Sequence, residues 1–220
     1  MAFFCYLFDL DGTLIDSKAD IIESVNLSLD ELGLARLPAG SVQGFIGEGV
    51  RLLISRAVAA SFARPATDGE IEQALVIYAR HYHAHLLDQT RLYPGVIETL
   101  ESLRPAPMAV VTNKPVQFTI PILDGLGLTP YFAAVLGGDS LPERKPAPAP
   151  LIEAARLCEQ PPAACLMIGD SAGDIIAGRA AGMRTCGCTY GFRDEAELVS
   201  AGADFLIGDM MNLPALLKRG

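Results

Sequence analysis

Short apolar runs that end in polar residues recur along this chain at Phe3–Phe8, Met108–Val111, Ala133–Leu136, Cys165–Ile168 and Thr185–Cys188, and segments of helical spacing separate most of them. A strand that is apolar on both faces is satisfied only in a sheet covered on both sides, so the alternation predicts an α/β fold with a largely parallel sheet flanked by helices. In such sheets ligands gather beyond the carboxyl ends of the strands. Three of the runs finish on chemically capable groups: Asp9, the pair Thr112 and Asn113, and Asp170.

From about Ser17 to Leu92 the alternation gives way to helices alone. Ile21, Ile22, Val25, Leu29 and Leu32 recur at helical spacing, with Gly33 as the stop. A second helix is expected from about Val50 to Phe62, and a third from about Gly69 to Leu87, opened by Thr67 or Asp68. Tyr93-Pro94-Gly95 then turns the chain into a new helix begun by Val96, Leu100 and Leu103. The expected organisation is a core of residues 1–16 and 93–220, with residues 17–92 as a helical cap inserted after the first strand. A chain of 220 residues has room for one such core and a small insert.

The formal net charge of −9 argues against nucleic acid, which selects clustered Lys and Arg. An anionic substrate must therefore meet local positive groups. The opening apolar run stops at Asp9, far short of the roughly 20 residues that span a bilayer, so no membrane segment is expected. Five scattered cysteines resemble neither a disulfide framework nor a zinc site; Cys186 and Cys188 read as small buried side chains, and a reduced cytoplasm is the natural setting. His81, His83 and His85 read as a solvated helix face, having no further histidine or nearby cysteine to complete a zinc site. The sequence leaves monomer or dimer open.

Asp9-Leu10-Asp11-Gly12-Thr13-Leu14 places two carboxylates two apart at the end of a buried strand, just before a glycine, so both can face one site. Val111-Thr112-Asn113-Lys114 ends another strand with a hydroxyl and an amide, which can hold phosphate oxygens without carrying charge. Arg144-Lys145-Pro146 offers a cation in a rigid loop. Gly169-Asp170-Ser171-Ala172-Gly173-Asp174 sets a carboxylate at a strand end and a second on the first turn of the next helix. Oxygen-only ligands of this kind suit Mg²⁺.

In this order the four elements resemble the haloacid dehalogenase superfamily along essentially the whole chain. Phe8 to Ser17 matches its first motif, Thr112-Asn113 its second, Lys145 its third, and Gly169-Asp170-Ser171 through Asp174 its fourth. The resemblance implies a Rossmann-like core with a small helical cap, and a phosphomonoester hydrolase acting on a small phosphorylated metabolite. It also implies roles: Asp9 as nucleophile, Asp11 as general acid and base, and Thr112, Asn113 and Lys145 as the phosphate cradle. Mg²⁺ would be held by Asp9, the backbone carbonyl of Asp11, Asp170 and Asp174. Asp11 favours phosphoryl transfer over dehalogenation, because halide leaves without a proton. The superfamily's beta-phosphoglucomutases typically carry Gly-x-Ser-Arg in the cap, where this chain has Gly47-Glu48-Gly49-Val50; its phosphonatases need a cap lysine, and none stands between Lys18 and Lys114. Phe45 to Ile54, Tyr93 to Val96 and Gly138 to Pro148 resemble the bacterial phosphoglycolate phosphatases, with inorganic pyrophosphatases, phosphosugar enzymes and a silent binding relative as alternatives. Gly47, Glu48, Gly49 and Arg51 are the expected substrate-reading residues.

Overall fold

The computed structural model describes residues 4–217. Phe3, where the first apolar run begins, lies outside them. In chain order the elements are β1 (Cys5–Phe8), β2 (Ile15–Asp16), α1 (Lys18–Glu31), α2 (Ala39–Gln43), α3 (Val50–Phe62), α4 (Asp68–Ala84), β3 (Arg91–Leu92), α5 (Val96–Leu103), β4 (Met108–Val111), α6 (Val116–Gly125), β5 (Ala134–Leu136), α7 (Ala149–Leu157), β6 (Cys165–Gly169), α8 (Ala172–Ala180), β7 (Arg184–Cys188), α9 (Glu195–Ser200), β8 (Phe205–Ile207) and α10 (Leu213–Leu217). Ser17–Thr90 forms one compact unit, and the chain on either side of it forms the other.

The larger unit is built on a six-stranded sheet in the order β5-β4-β1-β6-β7-β8, parallel at every pairing. Strands β1, β4 and β6 are buried at every residue, as strands covered on both faces must be. After β1 the chain builds outward through β4 to β5, then crosses back to β6 and builds outward to β7 and β8. The direction of winding therefore reverses at β1, the switch point where α/β sheets open a crevice beyond the strand ends.

Two strand features differ from the sequence reading. Arg91 and Leu92 pair antiparallel with Asp16 and Ile15 as β3 and β2, so they pack with the core unit instead of the insert. The edge strand β8 has only three residues, too few to show a period, and its anchor is polar: the Asp204 carboxylate accepts the Thr185 N–H at 2.8 Å and the Thr185 hydroxyl at 3.1 Å.

The smaller unit contains only the helices α1 to α4. Gly33, at φ 71°, ends α1, and the Leu34 N–H closes on the Leu29 carbonyl at 2.8 Å. Thr67 caps α4: its hydroxyl accepts the Glu70 N–H while the Glu70 carboxylate accepts the Thr67 N–H. The buried Asp20 carboxylate accepts the Gln89 and Thr90 N–H groups and the Thr90 hydroxyl. It thereby ties the segment entering the unit to the one leaving it. His81 lies 2.9 Å from Glu31 and His85 2.7 Å from Asp88, carboxylate partners of a surface face. No described helix is long and apolar enough to cross a membrane.

Candidate active site

Sheet register decides which side chains meet. Phe8 stands opposite Val110 on one side and Ile168 on the other, so one residue further on Asp9 is level with Val111 and Gly169. Thr112 and Asp170 follow directly, all at the carboxyl edge of the three central strands. Lys145 comes from the loop after β5 and is buried; its ammonium donates to Asp9 Oδ1 at 2.8 Å, to Asp174 Oδ1 at 2.6 Å and to the Val111 carbonyl at 2.6 Å. One cation thus binds a carboxylate at the end of β1 to another on α8. The second oxygen of Asp174 accepts the N–H and hydroxyl of Ser171 at 3.0 and 2.7 Å, which locks it in the first turn of the helix.

Asp9, Asp170 and Asp174 each offer an oxygen within 4.8 Å of the others, the one group of three potential metal ligands among the described residues. Asp170 Oδ2 accepts the Phe192 N–H at 2.6 Å. Gly12 sits at φ 85°, and a Cβ there would lie 2.2 Å from Asp170 Oδ2; only glycine serves both the turn and the neighbouring carboxylate. Thr112 accepts the Lys114 N–H at 3.2 Å, and the Asn113 amide donates to the Lys145 carbonyl at 3.0 Å. Asp11 is met by the Lys114 ammonium at 2.6 Å.

Residues 6–188 match the model of the haloacid dehalogenase-like hydrolases. This chain belongs to that family. It is 36% identical over 215 residues to the phosphoglycolate phosphatase of Nitrosospira multiformis, covering 97% of this chain and 95% of the relative. It is 40% identical over 208 residues to that of Neisseria meningitidis, covering 92% and 88%. A crystal structure described as a predicted phosphoglycolate phosphatase from Haemophilus somnus superposes with a TM-score of 0.92 at 35% identity, covering 97% of both chains. These relatives place the chain among the phosphatases of the haloacid dehalogenase-like family.

The electrostatics of this family member follow from burial. Asp9 is pushed from 3.8 up to about 6, first by loss of water and then by the charge of Asp174, with Lys145 opposing. Asp170 is driven well above the usual carboxylate range by burial and by the charges of Asp9 and Asp174. Burial works against the Lys145 ammonium, yet Asp174 and Asp9 more than offset it and raise the group. Three carboxylates crowded around one lysine leave a deficit of positive charge, and hard oxygen donors in that state fit a divalent cation such as Mg²⁺.

Of the residues singled out in the sequence, Asp9, Asp170, Asp174 and Lys145 come together, with Thr112 and Asn113 in the adjoining turn. Gly47, Glu48, Gly49 and Arg51 lie in the helical unit. Gly47 and Gly49 have φ of 110° and 96°, and Gly49 caps α3. Arg51 pairs with Glu72 and Asp68, and Glu48 with Arg56 at 2.6 Å. Sequence reasoning passed over two contributors. Phe192 acts through its backbone, which side-chain type cannot reveal, and Lys114 adjoins the second motif with no spacing to say which carboxylate it meets.

Proposed function

We propose that this phosphatase is a Mg²⁺-dependent phosphomonoester hydrolase of the reducing cytoplasm, acting on a small phosphorylated metabolite, 2-phosphoglycolate, through a phosphoryl group carried on Asp9. The observation that carries the reading is the buried Lys145 bridging Asp9 and Asp174 beside Asp170. The names of the relatives support the substrate, and five buried free cysteines support the compartment.

Asp9 attacks phosphorus, and the bond to the leaving oxygen breaks as Asp11 gives that oxygen its proton. Water then attacks the phosphorus of the aspartyl-phosphate, its proton passes to Asp11, and inorganic phosphate leaves with Asp9 restored. Thr112, Asn113 and Lys145 hold the phosphoryl oxygens while charge moves between them. Asp9, Asp170 and Asp174, with the backbone carbonyl of Asp11, would hold Mg²⁺, which when bound would supply the positive charge that lets one anion approach another.

Phosphate release from 2-phosphoglycolate, sugar phosphates and pyrophosphate, measured with Mg²⁺ and with EDTA, tests this. The expected result is fastest turnover of 2-phosphoglycolate, silence in EDTA and recovery on adding Mg²⁺. Full activity in EDTA, with metal analysis confirming removal, would overturn the mechanism; faster turnover of another ester would reassign the substrate. Melting curves give a second readout. Because the folded Asp9 sits at about 6 rather than 3.8, the metal-free fold binds that proton more tightly than the unfolded chain. It therefore loses stability as pH rises through this window. Added Mg²⁺ should raise Tm strongly at pH 7.5 and progressively less as pH falls below about 6. A Tm gain independent of pH would separate the metal from these carboxylates.

The 17–90 unit is read as the cap, and its Gly47-Glu48-Gly49 loop and Arg51 as the reader of the non-phosphate end of the substrate. Gly49 at φ 96° leaves little tolerance for a β-branched residue. Gly49→Val should therefore reshape the loop and depress kcat/KM for 2-phosphoglycolate far more than for p-nitrophenyl phosphate. Equal losses on both substrates would remove the loop from specificity.

A further inference from the structure

The mechanism above leaves one buried ammonium without a task. Lys114 is only 8% exposed, and its Nζ lies 2.6 Å from Asp11 Oδ1. Its backbone is gripped from several sides: the N–H donates to Thr112 Oγ1 at 3.2 Å, and the carbonyl accepts the Gly138 N–H at 2.9 Å and the Thr119 hydroxyl at 3.3 Å. The loop after β5 presses so close that a Cβ at Gly138 would stand 2.3 Å from the Asn113 carbonyl oxygen. The lysine stem therefore rises from a fixed base, unlike that of a solvated surface lysine. The two buried lysines divide the carboxylates between them: Lys145 takes Asp9 and Asp174, and Lys114 takes Asp11.

We propose that Lys114 is the positioning residue for Asp11, pinning one carboxyl oxygen so that the other carries the transferable proton toward the leaving oxygen. The inference rests on the acid/base role proposed for Asp11. Rotation about the last bond of an aspartate is broad and roughly two-fold, so an unrestrained carboxyl presents either oxygen over a range of directions. The ammonium on Oδ1 removes that freedom and assigns proton transfer to Oδ2. In the first half-reaction the Oδ2 proton passes to the leaving alkoxide as the phosphorus–oxygen bond breaks. In the second, Oδ2 takes a proton from water as the new phosphorus–oxygen bond forms and the bond to Asp9 breaks. Lys114 keeps its protons throughout and touches no reacting atom. Misplacement of a catalytic group by about 1 Å can cost on the order of 10² in rate, which sets the scale of the effect.

The test compares Lys114→Met, Asp11→Asn and the double variant on 2-phosphoglycolate and on p-nitrophenyl phosphate, whose nitrophenolate leaves without a proton. Lys114→Met should lower kcat for 2-phosphoglycolate on the order of 10² while KM changes little. With the aryl ester it should release a stoichiometric burst of nitrophenolate and then turn over slowly, since only hydrolysis of the aspartyl-phosphate still needs Asp11. Intact-mass spectrometry should find that phosphorylated enzyme accumulating. Asp11→Asn should behave alike, and the double variant should be no slower than Asp11→Asn, because two residues that act as one do not add. Independent, multiplying losses would show Lys114 acting on the substrate itself and overturn the inference, as would a Lys114→Met enzyme equal to the parent. Should Lys114→Met fail to fold with Asp11 left unpaired, the double variant, lacking both charges, is read against Asp11→Asn: equal rates support the inference, and a further loss of about tenfold overturns it. A parent without phosphatase activity, or an active Asp9→Asn enzyme, is a failure of the mechanism and is told apart by those controls.

Discussion

Asp9→Asn is expected to abolish turnover while leaving the fold intact. The amide has the shape of the carboxylate but is a poor nucleophile, so no aspartyl-phosphate forms and neither half-reaction begins. The fold survives because Asn keeps an oxygen that can accept the Lys145 bond, which measures 2.8 Å to Asp9. It also removes a charge that burial and Asp174 disfavour, as the upward displacement of Asp9 to about 6 records. Without metal at neutral pH, the variant should melt no lower than the parent. Phosphate release and thermal melts check the two halves of this statement. Turnover within about tenfold of the parent, in a preparation free of contaminating phosphatase, would remove Asp9 from the nucleophile role.

Lys145→Met should damage stability and activity together. All three ammonium protons are engaged, on Asp9, Asp174 and the Val111 carbonyl. Removing one partner of a buried ion pair costs about 3–5 kcal/mol, because the other charges stay behind without compensation. Here two carboxylates lose their shared partner, with Asp170 close by. Activity should fall at least on the order of 10² to 10³, the scale for losing one preorganised donor to developing charge. The stability loss has a pH signature. Asp9, already displaced upward to about 6, takes up a proton as pH falls, so denaturant titrations should show a smaller penalty near pH 5 than at pH 7.5. Added Mg²⁺ should narrow the gap at the higher pH. A variant within about 0.5 kcal/mol of the parent at pH 7.5, the range of an ordinary surface substitution, would show that Lys145 is not the countercharge of this cluster.

Much of this site is legible in the chain before any coordinates. Strands covered on both faces must be continuously apolar, so β1, β4 and β6 announce themselves, and the first polar residue after each marks the sheet edge where ligands collect. That reasoning reaches Asp9, Thr112 and Asp170 from their own neighbours, and Asp174 from the turn of helix that follows. The helices of the insert are equally local: Val50–Phe62 and the helix opened by Thr67 or Asp68 are both legible from nearby residues, and the structure selects Thr67 as the cap of α4. Elements without such local signals needed tertiary context. The three-residue β8 exists because β7 offers it an edge, and β3 because it finds β2 across the whole insert.

The same division runs through the chemistry. Residue type and position at a strand end were determined by the sequence, because they depend on neighbours a few residues away. Which cation meets which carboxylate was decided only in three dimensions. Lys145 reaches Asp9 across 136 residues, and Lys114 reaches Asp11 across 103. Those meetings depend on the register of β1 against β4 and β6 and on how the loop after β5 folds back, and no local periodicity encodes either. The raised proton affinity of Asp9 belongs to the tertiary structure for the same reason: burial and the charge of Asp174 create it, and neither exists until the strands are side by side.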